Sequence, residues 1–182
     1  MQPDDRFFTA PVLFRGKLHV EIFGDDFPGE TPRGAAMLVD RVRHAVNVRF
    51  RGDDQPSVLF TDKGRGFYAT RGSKITDVYK KALSDNSLQA YYGNDASEQP
   101  GNLQDVLLHE TAVAWIRNRE KVVRTARPWL ETTEEFATRL RGICQYINEH
   151  YNVEGLCRSF PKRLQALVDA EGDRIPSHLL EE

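Results

Sequence analysis

Cysteine is scarce in this 182-residue chain: only Cys144 and Cys157 occur, and they do not form a C-x-x-C pair. A disulfide framework needs more thiols, and a structural zinc site needs them closer together. Neither is indicated, and the two are read as ordinary buried thiols. Long apolar runs are also missing, since nothing approaches the ~20 residues of a membrane span. The opening residues, Met1-Gln2-Pro3-Asp4-Asp5-Arg6, lack a positive start and an apolar signal core. An intracellular compartment is therefore expected. An excess of either charge is absent as well. With 25 Lys and Arg against 27 Asp and Glu, the formal net charge is −2. No global field draws such a chain to nucleic acid, so any contact of that kind must rest on local clusters. There is no internal repeat and no low-complexity tract. The 40% apolar and 29% charged content is enough to bury a core and argues against disorder. It predicts one globular domain with a helical appendage.

Patterning along the chain begins with two apolar runs, 10–14 and 17–23, separated by Arg15-Gly16. They read as a β-hairpin with Leu18, Val20 and Ile22 on one face. Thr31 is placed as a helix N-cap with Pro32 at the first helical position. Ala36, Leu38, Val39, Val42, Ala45 and Val46 then form the apolar stripe of a helix of about four turns. Pro56 ends a polar loop. Residues 58–62 follow as a strand expected to be buried on both faces, broken by Gly64 and Gly66. Thr76 caps a helix over 77–83, and 88–92 reads as a short strand. Pro100-Gly101-Asn102 introduces a long helix from 103 to about 119, with Leu103, Val106, Leu107, Ala114 and Ile116 available for packing. The order is strand, strand, helix, strand, helix, strand, helix. Beyond it the pattern is purely helical. Thr132 and Glu135 have capping-box spacing, and Phe136, Leu140, Ile143, Cys144 and Ile147 recur at helical intervals up to Tyr151-Asn152. A last helix carries Leu156, Phe160, Leu164, Leu167 and Val168 and stops near Gly172. This divides the chain into an α/β core over 1–127 and a C-terminal helical extension over 128–182.

Acidic residues supply the candidate chemistry. Asp62 sits at the C-terminal tip of its strand, where it reads either as a metal ligand or as the side chain of an Asx-type turn. Two-metal phosphoryl transfer requires several converging carboxylates. Asp105 and Glu110 are the further candidates, with Glu98 in the preceding loop. Five residues separate Asp105 from Glu110, which on a helix is roughly 140°, so the two cannot aim at one point. The alternative for Asp105 is an acid favoured by the helix N-terminal dipole, and for Glu110 a solvated surface residue. His109-Glu110 has Val113 where a zinc protease would carry its second histidine. Basic residues form two clusters. Lys63, Arg65, Arg71 and Lys74 follow Asp62. Arg117, Arg119, Lys121, Arg124 and Arg127 end the long helix, with only Glu120 to offset them. Such clusters fit contacts to a phosphate backbone, or else solvated helix ends. Trp115 and Trp129 are read as core anchors rather than base-stacking platforms.

Four strings carry a resemblance spanning about residues 10–175. They are Gly16-Lys17-Leu18-His19-Val20-Glu21, Phe27-Pro28-Gly29-Glu30-Thr31-Pro32, Phe60-Thr61-Asp62-Lys63-Gly64-Arg65-Gly66-Phe67-Tyr68 and Gln99-Pro100-Gly101-Asn102-Leu103-Gln104. Together they resemble mariner-type DDE transposases, most closely the divergent transposase-like proteins of protist genomes. The resemblance implies an RNase H-like fold, a mixed sheet with helices on both faces, here incomplete at its first strand. It implies that Asp62 is the second catalytic acid. The segment from Pro100 resembles the one that leads into the helix bearing the third. Direct alignment puts Leu107 at that third position, leaving Glu110, one turn further, as its substitute, with Asp105 and Glu98 as alternatives. No residue matches the family's first aspartate, because Asp4 and Asp5 precede the strand signal and Asp25 and Asp26 follow the wrong strand. The helix-turn-helix module usual upstream is also missing. The resemblance thus implies a shortened, transposase-derived domain that binds and processes DNA. If active, it would hold Mg²⁺ or Mn²⁺ through Asp62 and Glu110, with cleavage and strand transfer weakened or lost. DNA as partner, a homodimer as candidate assembly and a nuclear location go with it. The alternatives are a protein-interaction module that keeps the fold without catalysis, and a resolvase-like nuclease.

Overall fold

A computed structural model describes residues 8–49, 58–61, 64, 66–68, 75–91, 106–123, 131–171 and 173–175. The architecture is mixed α/β, and its elements follow the order predicted as far as the long helix. The chain divides into two compact units, each assembled from separate segments.

The first unit comprises Met1–Phe27 and Leu108–Arg158. Strands β1 (Phe8–Phe14) and β2 (Lys17–Phe23) pair antiparallel over seven positions. Their turn is Arg15-Gly16, with φ of 50° and 70°, the left-handed pair that a two-residue hairpin demands. Gly16 is required twice over. A Cβ there would also lie 2.9 Å from the Cβ of Glu154. Cross-strand pairing puts Leu13, Pro11 and Thr9 on the same face as Leu18, Val20 and Ile22. Helices α3 (Leu108–Val123) and α4 (Thr133–His150) cover that face, and the short α5 (Val153–Arg158) follows. Leu18, Val20, Ala112, Ile116, Phe136, Leu140, Ile143, Cys144, Ile147 and Val153 form one buried cluster. Asn148 of α4 mimics a further strand rung. Its Oδ1 accepts from the Leu18 N–H and its Nδ2 donates to the Leu18 carbonyl, both at 2.8 Å. Leu18 therefore turns its backbone groups away from β1, and by the two-residue period Val20 does too. This makes Pro11–Val20 a non-hydrogen-bonded pair, and the nitrogen of Pro11 points to the open edge of β1. At the start of α4 the capping box is complete. The Thr132 hydroxyl accepts from Glu135 N at 3.2 Å, and Glu135 Oε2 accepts from Thr132 N at 2.8 Å.

The second unit comprises Pro28–Leu107 and Ser159–Glu182. Helix α1 (Pro32–Arg49) begins as expected, with Thr31 Oγ1 accepting from Gly34 N at 3.1 Å. Helix α2 (Asp77–Asp85) is capped by Thr76, which accepts from Tyr79 N. The two helices pack through Ala35, Val39, Tyr79, Ala82 and Leu83, all buried. Gly66 lies against the chain entering α1, where an added Cβ would fall 2.6 Å from the Thr31 carbonyl oxygen. Helix α6 (Phe160–Asp169) adds Leu167 to a small core with Val106 and Ile175.

Instead of the single mixed sheet expected, the described strands form two separate two-stranded sheets, and further expectations are corrected with it. The strand expected over 58–62 and buried on both faces is β3 (Val58–Leu59), two residues long with Val58 45% exposed. Its partner β4 (Gln89–Ala90), expected over 88–92, offers only two parallel rungs. Beyond them Phe60 leaves the strand and packs its ring 5.0 Å from Tyr91 and 5.1 Å from Phe160. The helix expected from 103 starts at Leu108, because Val106 and Leu107 are fully buried in the second unit while Leu108 opens the first. Within that helix Ala112 replaces the expected Ala114 in the core. The single last helix is two, interrupted at Ser159. Pro161 cannot supply an amide to the preceding turn, and α6 restarts with it in the first turn. Val168, expected in the stripe, is 68% exposed.

Candidate nucleic-acid interface

Helix α3 carries every described member of the expected site. Its first turn holds Glu110, half exposed, with Oε1 3.6 Å from His109 Nε2. The two form an ion pair only when His109 is protonated. An acid in a first turn also complements the positive end of the helix dipole, so Glu110 has a local structural role of its own. Asp62, Asp105 and Glu98 lie outside the described residues. Among the described residues, no group of three His, Cys, Asp or Glu side chains is placed to hold a metal ion.

Of the basic residues, Lys63, Arg65, Arg71, Lys74, Arg124 and Arg127 lie outside the described residues. The other three divide. Four residues apart, Arg117 and Lys121 share one side of α3, whereas Arg119 is turned roughly 200° from Arg117. The Arg119 guanidinium sits 3.6 Å over the Tyr146 ring, which also stacks on His150 at 4.0 Å. Arg119 is thereby committed to joining α3 and α4, as a cation held on an aromatic face.

Glu120 is occupied too. Its Oε1 accepts from Arg139 Nη1 at 2.8 Å, while Nε and Nη2 of the same guanidinium fork onto the two oxygens of Glu131, each at 2.8 Å. The Arg139 and Glu131 side chains are 10% and 6% exposed. Hydrogen bonding to Glu131 raises the pKa of Arg139 further above its ordinary range, against the opposing effect of burial, and Glu120 adds to the rise. With Glu120 drawn to Arg139, Arg117 and Lys121 have no ion-pair partner among the described residues. Both are exposed and border a groove of about 670 Å³. Its walls come from β1, β2, α3 and α4, all within the first unit.

The i, i+4 spacing of Arg117 and Lys121 is visible in the sequence. The groove and the Arg139 clamp are not, because Glu120 and Arg139 stand 19 residues apart with no local pattern linking them. Trp115 packs partly buried against the first unit's core, 5.0 Å from Tyr151, in keeping with a core anchor. Trp129 lies outside the described residues. Neither cysteine is an activated nucleophile. Burial pushes the Cys144 thiol up to about 12, and burial foremost also raises Cys157. On α4, α5 and α6 only Val168 is an exposed large apolar residue among those described, short of the apolar stripe that a protein-docking face on those helices would need. No described helix is long and apolar enough to cross a membrane. No family model, curated protein or solved structure matches the chain.

Proposed function

We propose that this chain is a transposase-derived DNA-binding domain of RNase H-like ancestry. The observation that carries this reading is the pair of exposed cations, Arg117 and Lys121, one turn apart on α3 and without a described carboxylate partner. Point charges so spaced can neutralise phosphates without reading bases. The element order β1-β2-α1-β3-α2-β4-α3 supports the ancestry. Binding without efficient cleavage is the activity proposed, with a nuclear location to match its partner. Glu110 alone offers a single carboxylate. Strand cleavage with Mg²⁺ or Mn²⁺ would pair it with Asp62, with Asp105 as the alternative to Glu110.

The test is fluorescence anisotropy with a labelled duplex across a salt series. Affinity falls as salt rises, and Arg117→Gln with Lys121→Gln lowers the log–log salt slope by about 1.8, two phosphate contacts' worth. An affinity independent of salt, or unchanged by the double substitution, overturns the proposal. Mg²⁺-dependent nicking of supercoiled DNA by wild type and Asp62→Ala is the companion assay. Nicking that survives the substitution removes Asp62 from any catalytic role.

A further inference from the structure

The groove of the first unit has an interior that a nucleic-acid backbone does not use. Val20, Ile116, Phe136 and Leu140 on its floor are buried core residues. Above them the rim on α3 bears Arg117 and Lys121. A phosphodiester chain is charged at every repeat and gains nothing from an apolar floor. A ligand with an apolar body and one charged end satisfies both parts of the groove at once. The volume of about 670 Å³ is that of a small-molecule site, where roughly 300–1,000 Å³ is usual. Strand addition by a peptide is disfavoured at the neighbouring edge, because Pro11 faces it without an N–H. Glu120, the one acid among the described residues of the rim, is turned onto Arg139 at 2.8 Å.

We infer that this groove binds a small amphiphilic anion. The apolar body displaces water from the floor, and a carboxylate or phosphate head is held by Arg117 and Lys121. The inference does not depend on DNA binding.

The experiment is titration calorimetry of the full chain with decanoate, decyl phosphate, decanol and decyltrimethylammonium, each below its micelle concentration. The two anions bind. Decanol binds about tenfold more weakly than decanoate, and the cationic amphiphile does not bind. Ala114→Phe, which fills the groove from an exposed position on α3, weakens both anions by about tenfold or more with the thermal melt unchanged. Arg117→Gln with Lys121→Gln reduces decanoate to the affinity of decanol. Equal affinity of wild type for decanoate and decyltrimethylammonium overturns the inference and needs no variant. So does undiminished decanoate binding by folded Ala114→Phe. That substitution spares duplex binding, so failure of the DNA reading and failure of this one are told apart.

Discussion

The two units differ in what a strand contributes to them. In the first, β1 and β2 share seven paired positions, and one face of the hairpin lies in the core under α3 and α4. In the second, β3 and β4 share two parallel rungs, and the buried side chains come mainly from α1, α2 and the residues between them. The same kinds of residue occupy both sets of strands, so composition does not separate them. Pairing does. β2 has a neighbour on one edge along its whole length and Asn148 on the other, whereas Val58-Leu59 has a partner for two residues only. A run of β-formers becomes a strand as far as another backbone meets its donors and acceptors, and no further.

Substitution in the two cores tests this difference most strongly. Ile147, fully buried in the ten-residue cluster against the hairpin, should cost about 4 kcal/mol on truncation to Ala. Leu83→Ala in the second unit should cost about 3 kcal/mol, because a site framed by two short strands and two helices relaxes more readily. Urea midpoints at a common slope give both values. A cost for Leu83→Ala equal to or above that for Ile147→Ala would break the contrast.

Alkaline pH separates the units next, since both cysteines belong to the first. The folded-state pKa of Cys144 is raised from 9.0 to about 12 by burial. Its contribution is therefore fully present below pH 9 and is lost as pH rises toward 12, because the unfolded chain gives up the proton first. The loss is about 1.4 kcal/mol per pH unit, or about 3 kcal/mol at pH 11. Cys157, also raised by burial, acts in the same direction. Comparing urea midpoints at pH 8 and 11 should show most of this loss abolished in Cys144→Val. An alkaline loss of the same size in the variant would assign it to other groups.

Legibility in the sequence follows the same division. Leu18, Val20 and Ile22 alternate, Arg15-Gly16 marks the hairpin, and Thr132 with Glu135 marks the start of α4. All of these signals are local, and all are realised. The hand-overs between units are not local signals. Val106 and Leu107 look like the first stripe of α3, and Leu156 and Phe160 look like one helix, because periodicity reports an apolar face without saying which core receives it. Pro161 was the available clue to the second break. The site divides likewise. The shared face of Arg117 and Lys121 is written in their spacing, while the attachment of Arg119 to Tyr146 and of Glu120 to Arg139 depends on a second helix.

The smallest contrast lies between two threonine caps, Thr132 on α4 and Thr76 on α2. Loss of the bond that each hydroxyl accepts from the backbone three residues on should by itself cost about 1 kcal/mol in either substitution to Ala. Only Thr132 belongs to a reciprocal box. The Glu135 carboxyl is held below its ordinary 4.5 chiefly by the Thr132 backbone N–H and then by its hydroxyl. A depressed carboxylate contributes stability above the unfolded-state pKa and loses it as pH falls through the folded one. Thr132→Ala also removes the bond its hydroxyl donates to Glu135 Oε2, so it should be the more damaging of the two at pH 7, with the gap narrowing as pH falls below 4.5 and Glu135 is protonated. The bond that each hydroxyl accepts from a backbone N–H does not titrate, so Thr76→Ala should cost the same at both pH values. Urea midpoints of the two variants at pH 7 and pH 3.5 measure this directly. Matching acid dependence for both would mean that the carboxylate adds nothing to α4 beyond what a lone threonine gives α2.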